Sequence, residues 1–257
     1  MRELDRHSQP SHAHALTSPL RVAIVGNGRV GKAVARALCR AGDHVEGPLP
    51  RGARPGDVDA VLLCVPDAEI GPAAALLPVG TPVGHCSGAS GLEVLRPHEG
   101  FSLHPLMTIS ADASAEVFAG AGAAVAGSTA QTLALARALA VRLGMRPIEI
   151  APGDRTAYHA AASIASNFLI TLEAMAERLA ATVGVKRDDL LPLVRATVEN
   201  WAGLGPERAL TGPVARGDDQ TVAAQREAVL ERLPELAPLF DALVEATRAL
   251  AGARAAV

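Results

Sequence analysis

The segment 21–42 constrains the fold more than any other part of the sequence. It consists of an apolar, β-branched run, a turn with three glycines, and a helix-forming stretch. In this context Gly26 permits a tight turn, Gly28 lets a pyrophosphate approach the backbone, and Gly31 lets the helix pack close to the strand. The segment therefore predicts a dinucleotide site on the helix N-terminus. Its predicted cofactor-binding residues are Gly26, Asn27, Gly28, Arg29, Val30 and Gly31.

Strand and helix patterns continue to alternate after this unit. Predicted strands cover 58–65, 82–86, 101–105, 122–126 and 146–150, and predicted helices cover 70–77 and 129–143. This alternation predicts an α/β doubly wound parallel sheet of the Rossmann type. Ligands bind beyond the carboxyl ends of the strands in such a sheet. The residues predicted to reach the ligands there are Val65, Pro66 and Asp67 for the cofactor, with Ser87 and His104 for catalysis.

The identity of the dinucleotide depends on the residues around the end of the second strand. Glu46 follows Gly26 at about the distance at which an acid holds the ribose hydroxyl of NAD. Arg51 and Arg54 lie in the loop just beyond it, and guanidinium groups match the 2′-phosphate of NADP. The basic loop favours NADP(H) over NAD(H), although both arginines could simply be solvated.

The sequence changes character near residue 152, where long alanine-rich helices begin. Aromatic residues make up only 2% of the chain, which favours closely packed helices over an all-β sandwich. One predicted helix carries His159, Ser163, Asn167 and Thr171 at four-residue spacing, so they form a polar stripe. The stripe either faces solvent or lines a cleft beneath the nicotinamide. The absence of Lys, Arg and Glu from it favours the cleft.

A loop rich in glycine and proline interrupts the helices at 205–218. Thr211, Gly212 and Arg216 are its predicted substrate-binding residues. Arg216 could clamp a substrate carboxylate, or it could pair with Asp218 and only stabilise the loop. The sequence does not decide between these alternatives.

Composition excludes several classes of function. A net charge of −3 gives no reason to expect nucleic acid or an anionic membrane as a partner. No apolar run is long enough for a transmembrane helix. The three cysteines have neither disulfide-framework nor zinc spacing, so no metal site and a cytoplasmic location are expected. The predicted organisation is a disordered tail (1–19), a dinucleotide-binding domain (20–151) and an all-α C-terminal domain (152–257).

Several motifs together resemble one family. They are the glycine turn, His85-x-Ser87-Gly88, His104-Pro105-Leu106-x-Thr108, Tyr158-His159-Ala160-Ala161, Asn167 and the run from Ala209 to Asp218. This set resembles the predicted oxidoreductases that join a Rossmann-like domain to "domain of unknown function 2520". That family is similar in plan to 6-phosphogluconate dehydrogenase, ketopantoate reductase and pyrroline-5-carboxylate reductase. The resemblance implies NAD(P)-dependent reduction of a small C=O or C=N compound, and a homodimer formed through the helical domain.

The sequence departs from these relatives at the proton donor. Ketopantoate reductase and the hydroxyacid dehydrogenases use a Lys-x-x-x-Asn pair on the long helix, and the corresponding residues here are Ser163 and Asn167. We therefore predict His104 or His159 as the acid, because imidazole titrates near neutral pH. Ser87 and Asn167 would orient the carbonyl. Ser163, Thr211, Gly212 and Arg216 are the predicted substrate-binding residues.

The sequence thus predicts an NADP-dependent oxidoreductase that reduces a small oxo acid. A ketopantoate-like substrate is the best single prediction, and it rests on domain plan alone. Two alternatives stay open. One is hydride exchange between NADP and a deazaflavin. The other is an NADPH-binding sensor without catalysis, which the missing lysine would allow.

Overall fold

The structure, a computed structural model, describes residues 18–254 of the chain. Nearly all of the predicted tail, residues 1–19, lies outside the described residues. The chain divides into two compact units, Met1–Ile164 and Ala165–Val257. The predicted boundary between residues 151 and 152 falls within the first unit. The roles assigned to the two domains stay predictions.

One seven-stranded sheet organises the first unit. Its strands are β1 (Arg21–Val25), β2 (His44–Leu49), β3 (Ala60–Leu63), β4 (Val83–His85), β5 (Gly100–Leu106), β6 (Gly122–Gly127) and β7 (Arg146–Glu149). Their spatial order is β2-β1-β3-β4-β5-β6-β7. The sheet, with helices packed on it, confirms the predicted Rossmann-like α/β fold.

Four helices connect or follow these strands. They are α1 (Arg29–Arg40), α2 (Ile70–Ala74), α3 (Ala130–Arg142) and α4 (Arg155–Ser163). Helix α3 begins with a capping box, in which the side chains of Thr129 and Thr132 each accept the other residue's backbone N–H. A 3₁₀ turn at Asp67–Glu69 leads directly into α2, and another at Leu92–Leu95 lies between β4 and β5.

The core lies on both faces of the sheet because successive strand residues point to opposite sides. Val22 and Ile24 of β1 contribute to one cluster, which includes apolar residues of α1 and α3. Ala23 and Val25 contribute to the other, which contains Ile70 of α2. Burial on both faces explains why β1 and β3 read as continuous apolar runs.

The sheet is not parallel throughout. Strands β1 to β5 run parallel, whereas β6 pairs antiparallel with β5, and β7 runs parallel to β6. Residues 107–121 contain no helix, so the chain returns directly beside β5. A parallel neighbour would need a crossover connection, which α3 supplies between β6 and β7. The prediction of a purely parallel sheet was therefore wrong at this one pair.

The second unit is helical, as predicted. A π turn at Ile164–Phe168 precedes its first helix. The helices are α5 (Leu169–Ala181), α6 (Arg187–Leu204), α7 (Pro206–Ala209), α8 (Pro213–Arg216), α9 (Asp219–Arg232) and α10 (Ala237–Arg254). Neither α5 nor α6 contains a buried residue.

Candidate active site

The three glycines of the turn after β1 meet three different steric demands. A Cβ on Gly26 would lie 2.2 Å from the carbonyl oxygen of Cys64, and one on Gly31 would lie 1.9 Å from that of Gly26. Nothing lies within 4 Å of the corresponding point on Gly28. Gly26 and Gly31 are therefore required by the fold itself, whereas Gly28 leaves open space next to the backbone. This is the division of roles that a pyrophosphate site requires.

A pocket of about 290 Å³ opens beside this turn. It is lined by Gly26, Asn27, Gly28, Pro50, Arg51, Cys64, Val65 and Pro66. Helix α1 starts at the pocket without a side-chain cap, so its first N–H groups can bind an anion. The pocket and the glycines fit a dinucleotide. Most of the predicted cofactor residues line the pocket or begin α1, including Arg29 and Val30.

The end of β2 differs from the sequence prediction. Strand β2 continues to Leu49, whose carbonyl accepts the N–H of Gly26, so Glu46 lies within the strand rather than at its end. A carboxylate oxygen of Glu46 accepts the backbone N–H of Gly56. Pro50 and Arg51 line the pocket just beyond β2, and the guanidinium of Arg51 lies 2.9 Å from Glu69. Arg54 is exposed and does not line the pocket.

Asp67 and Ser87 join the ends of β3 and β4. The hydroxyl of Ser87 donates to a carboxylate oxygen of Asp67 at 2.8 Å and accepts the backbone N–H groups of Ala89 and Ser90. Asp67 directly follows Pro66 of the pocket, so this contact connects the pocket with the loop after β4. The predicted role of Ser87, orienting a carbonyl, would require its hydroxyl to leave Asp67.

Three further side chains, those of His85, Cys64 and Cys86, lie near these two residues. His85 is fully buried; its Nδ1 accepts the N–H of Ser87, and its Nε2 donates to the carbonyl of Gly91. Burial lowers the pKa of His85, which keeps it neutral. The sulfur atoms of Cys64 and Cys86 lie 3.7 Å apart, and their hydrogen bond, together with burial, raises the pKa of Cys64.

His104 lies in β5 beyond the residues that pair with β4, and it meets helix α4 there. Its Nδ1 lies 2.7 Å from the hydroxyl of Tyr158, and the two rings are nearly perpendicular. The ring of His159 lies 6.1 Å from that of His104, centroid to centroid. Both imidazoles lie against Gly88, because a Cβ there would come within 2.9 Å of each. The structure thus brings together the two histidines predicted as acids.

The ionisation of His104 does not match the prediction. Burial, then the neighbouring His159 and Arg155, lower its pKa to about 4. His104 is therefore neutral at neutral pH, and the reason for choosing it as an acid, an ordinary imidazole pKa, does not hold. A neutral imidazole can still donate one N–H and accept at its other nitrogen.

Arg155 is the buried cation of the site. It is 7% exposed, and its terminal nitrogens donate to the hydroxyl of Ser102 and the carbonyl of Ser87. Its Nε has no hydrogen-bond partner. Among the residues that the structure describes, no carboxylate forms a salt bridge with Arg155, although ten other salt bridges occur there. Its positive charge therefore helps to lower the pKa of His85 and of His104, since it opposes a second positive charge nearby.

The predicted polar stripe is divided between the two units. His159 and Ser163 belong to α4 in the first unit, while Asn167 and Thr171 belong to the second. Asn167 and Thr171 are exposed, and the hydroxyl of Thr171 donates to the carbonyl of Asn167. The π turn interrupts the regular spacing on which the stripe was based, as π turns often do at functional sites.

The predicted substrate loop forms two short helices, α7 and α8. Asp218 caps α9 and accepts from the hydroxyl and the backbone N–H of Thr221, which lowers its pKa. Within residues 18–254, Arg216 forms no salt bridge with Asp218. Pairing between these two residues is thus not what holds the loop. The substrate-binding roles of Thr211, Gly212 and Arg216 stay predictions.

Sequence reasoning missed Tyr158 and Arg155 as members of the site. Both lie on the first turn of α4, at positions three apart that share one face of a helix. Tyr158 also stands next to His159 in one of the family motifs and is the only tyrosine of the chain. These signals could have added it to the candidates.

Comparison with known families identifies the C-terminal part of the chain. Residues 122–247 match the model of the "Domain of unknown function (DUF2520)". The chain joins a Rossmann-like domain to DUF2520. The family predicted from the motifs is thereby confirmed, and the matched region begins at β6, within the sheet. A comparison with curated proteins finds no significant match.

Solved structures share the fold over most of the chain. Protein TM1727 from Thermotoga maritima is 25% identical, with a TM-score of 0.76, and the match covers 90% of this chain and 99% of that one. BF3122 from Bacteroides fragilis, named provisionally as an NADP oxidoreductase, is 19% identical, with a TM-score of 0.76 and coverage of 90% and 98%. The 1-pyrroline-5-carboxylate reductase of Streptococcus pyogenes is 15% identical, with a TM-score of 0.59 and coverage of 91% and 98%.

Two classes of site are not found in the described part of the chain. Between residues 18 and 254 no helix has the length and apolar character needed to cross a bilayer. The same residues contain no group of three or more His, Cys, Asp or Glu side chains arranged to hold a metal ion.

Proposed function

We propose that the protein is an NADP-dependent oxidoreductase that reduces a small oxo acid, with a ketopantoate-like compound as the first substrate to try. The observation that carries the proposal is the continuity between pocket and polar cluster. Pro66 lines the dinucleotide pocket, Asp67 follows it and binds Ser87, and His104 lies against the neighbouring Gly88. A cofactor bound at the glycine turn would therefore lie next to groups able to donate hydrogen bonds.

The names of the similar structures support the reaction class. BF3122 is named for NADP, and the Streptococcus pyogenes protein is a pyrroline-5-carboxylate reductase. A reductive aminase from Aspergillus terreus with NADPH and ethyl levulinate also shares the fold, at 16% identity and a TM-score of 0.62. These proteins extend the substrates to be tested from C=O to C=N compounds.

When bound, the nicotinamide would supply the hydride, and the chain must bind, orient and protonate the substrate. Gly26, Gly28 and the start of α1 would hold the pyrophosphate, while Arg51 would bind the 2′-phosphate. His104 and His159 lie on the surface proposed for the substrate. Asn167, Ser163 and the 211–216 loop stay predicted contacts, and we propose a homodimer through the helical unit.

The preference for NADP is tested by removing the guanidinium group of Arg51. We expect Arg51→Ala to weaken NADPH binding about 10-fold, since a charge-assisted hydrogen bond contributes about 1.5 kcal/mol or more, and to leave NADH binding unchanged. Arg146→Ala is the matched control, because Arg146 is exposed on β7 at the opposite edge of the sheet. Equal losses for both cofactors would contradict the assignment of the 2′-phosphate to Arg51.

Catalysis is tested by NADPH consumption with 2-oxo acids, including ketopantoate, and with cyclic imines. Consumption with one of these classes supports the reductase. A deazaflavin in the same assay tests the alternative of hydride exchange. Tight NADPH binding without consumption by any of these compounds would favour a sensor and count against the proposed enzyme.

A further inference from the structure

The hydrogen bond between Tyr158 and His104 favours one position for the proton of the imidazole. Burial raises the pKa of Tyr158, so the phenol keeps its proton at neutral pH. His104 is neutral there as well and has only one N–H. The 2.7 Å contact fits either group as the donor, but an imidazole nitrogen is a much stronger base than a phenol oxygen, so the favoured arrangement has the O–H of Tyr158 donating to a bare Nδ1. In this arrangement the proton of His104 lies on Nε2.

The other edge of the imidazole is available. Among the described residues, Nε2 of His104 has no hydrogen-bond partner. It is also absent from the set of fully buried side-chain atoms that lack a partner, so part of its surface is accessible. The edge formed by Cε1 and Nε2 lies against Gly88, whose missing side chain makes room for it. Gly88 follows Ser87, which is bonded to Asp67 next to the dinucleotide pocket. The nitrogen assigned as the N–H donor therefore lies against the loop that adjoins the proposed cofactor site.

We propose that Tyr158 is a positioning residue that supplies, through His104, the proton taken up by the substrate. The inference rests on the proposed reductase function. As the substrate gains a hydride at carbon, its oxygen or nitrogen takes the proton from Nε2 of His104, and Nδ1 takes the proton from the Tyr158 hydroxyl. One N–H and one O–H bond break, and two new bonds to hydrogen form. The imidazole stays neutral but changes tautomer. Nε2 then regains a proton from solvent and Nδ1 returns its proton to the phenolate, which restores the starting state.

Arg155 favours the neutral form of His104 and holds α4 in place. Its buried charge has no carboxylate partner in the described chain and opposes protonation of His104. Its hydrogen bonds to Ser87 and Ser102 tie α4 to the loop after β4 and to β5, which holds Tyr158 beside His104. A cationic His104 could not accept the phenol proton, so the site as built favours transfer through a neutral imidazole.

The first test needs neither cofactor nor substrate. Nitrogen NMR of histidine-labelled, cofactor-free protein at neutral pH reads which nitrogen of His104 is protonated. We expect the Nε2–H form in the wild type and a mixture of both tautomers in Tyr158→Phe. A wild-type His104 protonated at Nδ1, or a Tyr158→Phe variant with unchanged tautomers, would overturn the relay whatever the protein catalyses.

The second test uses a substrate identified by NADPH consumption. We expect Tyr158→Phe to lower kcat about 100-fold, the smaller end of general acid catalysis, with KM changed less than threefold. Thr156→Val is the matched control, since it removes an exposed hydroxyl from the same turn of α4. An unchanged kcat in Tyr158→Phe overturns the relay but leaves the reductase standing. No turnover by the wild type rejects the proposed function instead.

Tyrosine absorbance provides a third readout, because Tyr158 is the only tyrosine of the chain. We expect the phenol to titrate above its ordinary pKa in the folded wild type, in keeping with its burial. Replacing His104 by Phe removes the acceptor of its proton. A titration curve identical in wild type and His104→Phe would show that the two groups are not coupled, which contradicts the proposal.

Discussion

The imidazole of His104 lies between a phenol, a second imidazole and a buried guanidinium. Each neighbour affects it differently: Tyr158 occupies Nδ1, while His159 and Arg155 add to burial in opposing a positive charge. The same residue type in an exposed loop would be half-protonated near neutral pH. Here it is neutral, and one of its two nitrogens is held by Tyr158, so its chemistry is set by its position in the fold.

The lowered pKa of His104 also predicts how stability depends on pH. Between its ordinary pKa of 6.5 and its folded value of about 4, the unfolded chain binds a proton that the folded chain does not. The free energy of unfolding should therefore fall as the pH is lowered through this range, by at most about 3 kcal/mol from this group. Urea unfolding at pH 7 and pH 4.5 measures the change.

A variant separates this contribution from that of His85, whose pKa is also lowered. We expect His104→Gln to lose part of the pH dependence, whatever its absolute stability. His44→Gln replaces an exposed histidine at the start of β2 and should keep the wild-type dependence. The same pH dependence in wild type and His104→Gln would show that His104 is not held neutral.

The unit formed by β1, the glycine turn and α1 could be predicted from sequence because its signal, an apolar run followed by three glycines and a helix pattern, is continuous in the chain. Gly31 lies against the carbonyl of Gly26 within the same turn, whereas the contact of Gly26 with the backbone of Cys64 became known only from the structure. The Tyr158–His104 contact joins residues 54 apart in the chain, and the Arg155–Ser87 contact joins residues 68 apart. No local pattern encodes such pairs, so the sequence supplied the candidate histidines but not their partners.

Two substitutions in this element separate folding from cofactor binding. Gly31→Ala should destabilise the protein strongly, because its Cβ would overlap the carbonyl oxygen of Gly26 and push α1 from the sheet. Gly28→Ala meets no atom within 4 Å, so its thermal unfolding temperature should stay near that of the wild type. Its Cβ would, however, occupy the space needed by the pyrophosphate, and NADPH affinity should fall at least 10-fold.

Thermal unfolding and NADPH titration of both variants check this division. Gly153→Ala is a control for adding a methyl group, since it also meets no atom within 4 Å and lies outside the turn. Normal NADPH affinity in Gly28→Ala would mean that the pyrophosphate does not approach the turn. A fully stable Gly31→Ala would show that the close approach of α1 is not required.

At the scale of the whole molecule, alternation of apolar runs and helix patterns predicted the sheet, and the change to alanine-rich helices predicted the second part of the chain. The antiparallel pair β5–β6 was missed because strand direction depends on the connection, and residues 107–121 carry no pattern that reveals a direct return. The exposed apolar residues of α5 and α6 could not be foreseen either. Helical periodicity shows that a face is apolar but not what covers it.

Those residues predict an interface between two copies of the chain. Ile170, Leu193 and Trp201 are each more than half exposed, and they lie on the two helices of this unit that bury no residue, so both helices have apolar surface that a partner could cover. We expect the wild type to be a dimer by light scattering and Leu193→Glu to dissociate it, with the emission of the single tryptophan shifting to the red. Val141→Glu is the control, since Val141 is similarly exposed (61% against 65%) on α3 of the first unit. A monomeric wild type would contradict the predicted dimer. Equal effects of the two substitutions would contradict an interface on the helical unit, because only a partner bound there makes Leu193 more sensitive to a charge than Val141.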